Sequence, residues 1–253
     1  MRYAIALLML VACAAFGQLK LTTSAGISVL AGRVVETNAP SGNTRTNGLY
    51  GHWNFDSNLV DVFGGHDFSG TVNYGTGLVT NSFTNDYTGT PTIAGLGHPG
   101  IRTNSFSAIL WYKHGGTDYN ILFSKWVAAG YRGFILWYVN STGDLSWGVS
   151  TNATSETYAT INITLTTWNM IYVFRDTARK KLGISHNNGA VSEIDMENFD
   201  INDNGADLKV GYGEGGYWGI GSYDLLSIYD RVLTSDEVTA HYNSGAGKSY
   251  PFQ

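Results

Sequence analysis

Short apolar or aromatic runs recur along the chain from about residue 105, each interrupted by Gly, Asn, Asp or Ser. Ala108-Ile109-Leu110-Trp111-Tyr112, Ile121-Leu122-Phe123-Ser124-Lys125-Trp126 and residues 133–139 (GFILWYV) have the length and the β-branched or aromatic content of strands. Residues 145–149 (LSWGV), 168–174 (WNMIYVF) and 181–185 (KLGIS) follow the same pattern. Asn188-Gly189 predicts a tight hairpin turn joining a strand at 181–186 to one at 190–197, and residues 141–144 (STGD) predict another. No segment before Ser235 repeats its apolar residues at the helical period. There Thr234 or Ser235 can cap a helix start with Glu237 in its first turn. Many short strands at regular spacing predict an all-β fold: an antiparallel jelly-roll β-sandwich with a short C-terminal helix turn.

The N-terminus has a different pattern. Arg2, an apolar run at 4–12 (AIALLMLVA) and the small residues that follow predict an export signal over 1–17, cleaved after Gly17. The run is too short to span a bilayer as an anchor. An alternative uses Cys13: residues 10–13 (LVAC) resemble a bacterial lipoprotein signal, which would leave a lipid anchor on Cys13 at the cell envelope. Residues 18–47 read as a strand and linker segment, with alternating runs at 18–33 and a polar loop at 36–48, so the domain is expected over 48–253. The expectation is a secreted protein. Cys13 is the one cysteine, so the mature chain would have no disulfide and would depend on a packed core. Lys and Arg total 15 against 20 Asp and Glu, a net charge of −5 with no basic cluster, which argues against nucleic acid and anionic membranes as partners.

Four ordered segments resemble the laminin-G-like domains of the concanavalin A-like superfamily. They are Gly48–Asp56 (GLYGHWNFD) with Leu59-Val60-Asp61, Ser105–Tyr112 (SFSAILWY), Asp207–Gly211 (DLKVG), and Gly219–Val238 with its Tyr-Asp-Arg-x-Leu turn. Thr167-Trp168-Asn169 resembles the start of a further strand. The resemblance implies a two-sheet jelly roll, mostly used for binding, and a rim Ca²⁺ site. It leaves the ligand open, because function lives in sites grafted on folds.

Asp200, Asn202, Asn204 and Asp207 carry oxygen donors around Gly205 in the pattern of half a calcium loop; the alternative is an Asx-rich turn. Tyr212, Tyr217 and Trp218 lie among glycines, and Trp126 and Tyr131 bracket another glycine-containing loop. Such rings suit stacking on sugars or anchoring a protein partner, and equally suit covering the ends of a sandwich. Alternation would put Glu193, Asp195 and Glu197 on one strand face. The Glu-Ile-Asp-x-Glu run resembles the signature of laminarinase-type glycoside hydrolases, which would make Glu193 nucleophile, Glu197 acid/base and Asp195 their modulator. The same run also reads as a solvent-facing acidic strand. Asp56 and Asp61 are expected to fix turns by hydrogen-bonding backbone amides, the alternative being oxygens supplied to a cation together with Asp67; Asp224, in its apolar strand, is expected to accept backbone or Tyr hydrogen bonds, with a cation role as its alternative. No histidine pair has zinc spacing, and no Gly-x-Ser-x-Gly elbow is present.

The expected function is non-enzymatic binding of a glycan, or of a cell-surface or matrix protein, with Ca²⁺ as a candidate cofactor. Alternatives are a self-associating structural protein of a virion, filament or matrix, and a retaining glycoside hydrolase.

Overall fold

The computed structural model describes residues 21–22, 27–30, 33–36, 46–87, 92–93, 103–127, 131–150, 156–197, 200–201, 206–213 and 216–252. The export signal, Cys13 and most of the polar 36–48 segment lie outside them. The chain divides into two units, Met1–Asn47 with Gln253, and Gly48–Phe252. In the first, β1 (Leu21–Thr22), β2 (Ile27–Leu30) and β3 (Arg33–Glu36) form a small antiparallel sheet in that order.

The second unit is an antiparallel β-sandwich. Its strands are β4 (Leu49–Trp53), β5 (Asn73–Thr76), β6 (Asn81–Asn85), β7 (Thr92–Ile93), β8 (Phe106–His114), β9 (Tyr119–Val127), β10 (Tyr131–Val139) and β11 (Asp144–Ser150). Then come β12 (Glu156–Asn162), β13 (Asn169–Asp176), β14 (Lys181–His186), β15 (Ser192–Asp195), β16 (Leu208–Val210), β17 (Tyr212–Gly213), β18 (Tyr217–Trp218) and β19 (Gly221–Tyr229), and helix α1 (Ser235–Tyr242). One sheet has six strands in the order β12-β11-β10-β9-β16-β7. The other has eight, in the order β15-β14-β13-β8-β19-β6-β5 with β4 also on β19.

Alternation along the strands decides what lies where. Phe106, Ala108 and Leu110 of β8 face Phe123, Phe134 and Trp147 of the other sheet in the main core. Ile109 and Trp111 face the opposite way, where Tyr172, Phe174, Leu233, Val238 and Phe252 form a second cluster. Helix α1 and the C-terminal residues therefore cover the outer face of the eight-stranded sheet. The helix begins in a capping box: Thr234 Oγ1 accepts from Glu237 N (3.3 Å) and Glu237 Oε2 from Thr234 N (2.9 Å). No helix among the described residues is long and apolar enough to cross a membrane.

Strand β19 is the hinge of the larger sheet. Gly221–Tyr223 pair with β6, Leu226–Tyr229 with β4, and the whole strand with β8. At the changeover Leu225 has φ 48°, and the fully buried Asp224 accepts from the amides of Leu78 (2.9 Å), Val79 (3.2 Å) and Leu225 (2.9 Å). Burial pushes its carboxyl up to about 7 against the pull of those amides. Asp61 fixes the 61–66 turn in the same way, accepting from His52 N (2.9 Å), Phe63 N (3.0 Å) and His66 N (3.0 Å). Burial raises its pKa, but the amides outweigh that and hold the carboxyl below its usual range. Asp56 likewise accepts from Thr80 Oγ1 and from Asn81 N at 3.2 Å.

The turn after β14 sits one residue earlier than its Asn-Gly pair predicts. Asn187 (φ 48°) and Asn188 (φ 57°) are its central residues, and Gly189 N donates to His186 O at 2.8 Å. Asparagine tolerates the left-handed region well enough to take both positions. Residues 18–33, expected to add a strand, carry parts of three short ones.

Candidate functional site

An exposed aromatic surface is built on a small hairpin. β17 pairs with β18 (Tyr212↔Trp218, Gly213↔Tyr217). Its two ends are tied at the base: Gly219 N donates to Gly211 O (2.8 Å), and Asn85 Nδ2 donates to Gly211 O (2.5 Å) and Gly219 O (3.1 Å). Tyr223 OH also donates to Gly219 O. On the sheet side, Gly211 N donates to Leu122 O (2.9 Å) and Ser124 Oγ to Tyr212 O (3.0 Å). A Cβ on Gly213 would come within 2.0 Å of Ile121 Cδ1, so a larger residue there would require the Ile121 side chain to shift for the hairpin to lie this close to β9.

This base holds the rings in fixed positions. Trp218 meets Tyr212 at 4.8 Å and Tyr87 at 6.1 Å between ring centres, and Tyr217 meets Tyr119 at 5.0 Å. Tyr217, Tyr87 and Tyr119 are 51%, 55% and 40% exposed. Lys209 Nζ lies 5.2 Å from the centre of the Tyr212 ring. The result is a preorganised patch of ring faces and edges with phenol hydroxyls around it. Such a surface can bury the apolar face of a sugar ring or a partner's side chain at small entropic cost.

The sequence singled out Tyr212, Tyr217 and Trp218, and the structure brings them together. Tyr87 and Tyr119 were missed; each sits alone in its local sequence and joins the patch only through pairings about a hundred residues apart. Trp126 is half-buried at the far end of β9 from Tyr119. The Tyr131 side chain lies outside the described residues.

The acidic run occupies the opposite sheet. β15 is its edge strand, with Glu193 and Asp195 exposed and Ile194 turned toward the core. Arg179 Nη1 donates to Glu193 at 2.9 Å, and Lys181 Nζ to Asp195 at 2.7 Å. Glu197 is exposed beyond the end of the strand. Glu193 lines a groove of about 320 Å³ between α1 and the outer face of β13 and β14.

Of the calcium-loop candidates, Asp200 is exposed and Asp207 half-buried, while Asn202 and Asn204 lie outside the described residues. Two buried cations face this segment. Lys125 Nζ donates to Ala206 O at 2.5 Å, and Arg175, drawn down to about 10 by burial, feels the charge of Asp200. Both cations lie beside the described ends of the segment, at Asp200 and Ala206. Among the described residues no group of three His, Cys, Asp or Glu side chains could hold a metal.

No protein-family model and no curated protein matches the chain in sequence. Solved structures do resemble it. Domain 4 of AbnA, a GH43 extracellular arabinanase from Geobacillus stearothermophilus, in complex with arabinotriose, superposes with a TM-score of 0.60 at 18% identity, over 76% of this chain and 96% of that one. The binding domain of Paraclostridial Mosquitocidal Protein 1 gives 0.64 at 13% identity, and that of Botulinum Neurotoxin DC in complex with SialylT gives 0.61 at 11%. The likeness is one of fold. This chain is an antiparallel β-sandwich of the kind those domains contain, and it spans 53% and 52% of the two toxin domains.

Proposed function

We propose that the chain is a non-catalytic carbohydrate-binding module, laminin-G-like in its finer affinity and exported from the cell, that stacks glycan on the Tyr217, Trp218, Tyr119, Tyr87 and Tyr212 surface. The observation that carries this reading is the exposed aromatic hairpin tied at both ends to the buried Asn85. A solvent-facing ring cluster on a rigid base is costly unless something covers it. The neighbours support the reading: AbnA domain 4 holds arabinotriose and the toxin DC domain holds SialylT.

A glycan-array screen of the purified chain tests it, run with millimolar Ca²⁺ and again with chelator. Saturable binding that disappears in Tyr217→Ala is the expected result; no binding in either condition sinks the reading. Loss of binding with chelator alone would put Ca²⁺ on the 200–207 loop, whereas unchanged binding would make the site independent of Ca²⁺.

A further inference from the structure

The hairpin is one end of a longer aromatic face. In the six-stranded sheet Phe134, Leu136, Leu145, Trp147 and Ala159 belong to the core. Their neighbours Trp137, Ser146, Gly148, Tyr158 and Thr160 therefore point to the outer face. The register then places these residues in order across the strands. Trp137 stands opposite Ile121, the residue on which Gly213 of the hairpin rests, and opposite Ser146 on its other side. Tyr158 stands opposite Gly148.

Gly148 sets the attitude of the rings. A Cβ there would lie 2.3 Å from Tyr158 Cδ1, 2.5 Å from its Cε1 and 3.2 Å from Trp137 Cζ3. The Tyr158 ring therefore lies down over the glycine, with Trp137 edge-on to it at 4.7 Å and 89° between ring planes. Both rings are half-buried, one side against the sheet. Ser146 and Thr160, whose hydroxyls are 2.8 Å apart, continue the row beyond Trp137. A ring lying on a sheet is the geometry that stacks on a sugar ring.

We propose that Trp137 and Tyr158 form a second sugar subsite on the same face as the hairpin, so that the ligand is the interior of a linear, neutral glycan of three or more residues lying across the strands. This rests on the carbohydrate-binding reading above. From β9 to β12 the face spans three strand spacings, ~14 Å at ~4.8 Å each, longer than one sugar ring. Among the described residues this face carries Lys209 on β16 against Asp144 on β11, in phase with Ser146 and Gly148, and Glu156 on β12, which suits a neutral chain better than an acidic one.

Calorimetry on the full chain tests the proposal with arabino-, xylo-, laminari- and cello-oligosaccharides from mono- to hexasaccharide. Affinity in the preferred series is expected to rise about tenfold or more from di- to tetrasaccharide, a step of ~1.4 kcal/mol. Trp137→Ala should remove that gain and leave disaccharide affinity unchanged, whereas Tyr217→Ala should abolish binding at every length. Trp137→Tyr, which keeps a stacking ring and guards against misfolding, should retain most of the gain. Affinity independent of length, or a Trp137→Ala variant that binds tetrasaccharide like the parent, overturns the second subsite while leaving the hairpin site standing. No binding in any series overturns the neutral linear ligand and its second subsite, while the hairpin site stands or falls with the glycan array.

Discussion

At Asp61 a single carboxylate takes the amide hydrogens of His52, Phe63 and His66, while its own amide donates to Asp67 at 2.9 Å. Removing that acceptor strands several amides in a half-buried turn, and each costs ~1–3 kcal/mol when fully desolvated. Asp61→Ala should therefore lower stability by about 3 kcal/mol or more, read from urea unfolding. Tyr217 is the opposite case. With half its surface in solvent, Tyr217→Ala should shift stability by no more than about 0.5 kcal/mol while abolishing glycan binding. A large loss of stability there would make the ring a packing residue. The turn-fixing role of Asp56 and Asp61 and the backbone hydrogen bonds of Asp224 were legible because carboxylates beside glycines and apolar strands have few other ways to be satisfied.

Among the elements, helix α1 depends on its first turn. Thr234→Ala removes one half of the capping box and should cost about 1 kcal/mol by urea unfolding, with Glu237 still held by Arg231 at 2.6 Å. The strands that the sequence revealed, such as β8 and β13, are buried on both faces over most of their length and read as continuous apolar runs. Two that it concealed are edge strands. β5 (NYGT) and β12 (ETYATIN) show mostly exposed or half-buried side chains, so no hydrophobic period marks them. The same blindness applied to the site. Glycine spacing exposed the hairpin rings, but Tyr158 sits in the concealed β12, and its partner Gly148 gains meaning only through strand register.

For the molecule as a whole, two buried groups set opposing pH dependences. His52 is fully buried between Ser227 (2.7 Å) and Asn54 (2.7 Å), and burial lowers its pKa to about 4. As pH falls from 6.5 to 4 the unfolded chain takes a proton that the folded one refuses, so stability falls, by about 3 kcal/mol in all. Asp224, raised from 3.8 to about 7, acts in reverse: the folded chain keeps a proton that the unfolded one releases, so stability falls as pH rises across that range. Between pH 4 and 6.5 the two slopes oppose each other. In Asp224→Asn the His52 slope, which the burial-lowered His114 and His186 share in sign, is no longer opposed by Asp224, and urea unfolding should show stability dropping by about 3 kcal/mol or more from pH 6.5 to 4, more steeply than in the parent; parallel curves would contradict this. The position of β19 bears on how the protein is made. β19, the last strand among the described residues, lies between β8 on one side and β6 and β4 on the other. While a ribosome is still producing residues 221–229, those three strands have no common partner. The sheet closes only once residues 221–229 have been made, and a chain stopped before Gly221 would leave their edges open to other chains.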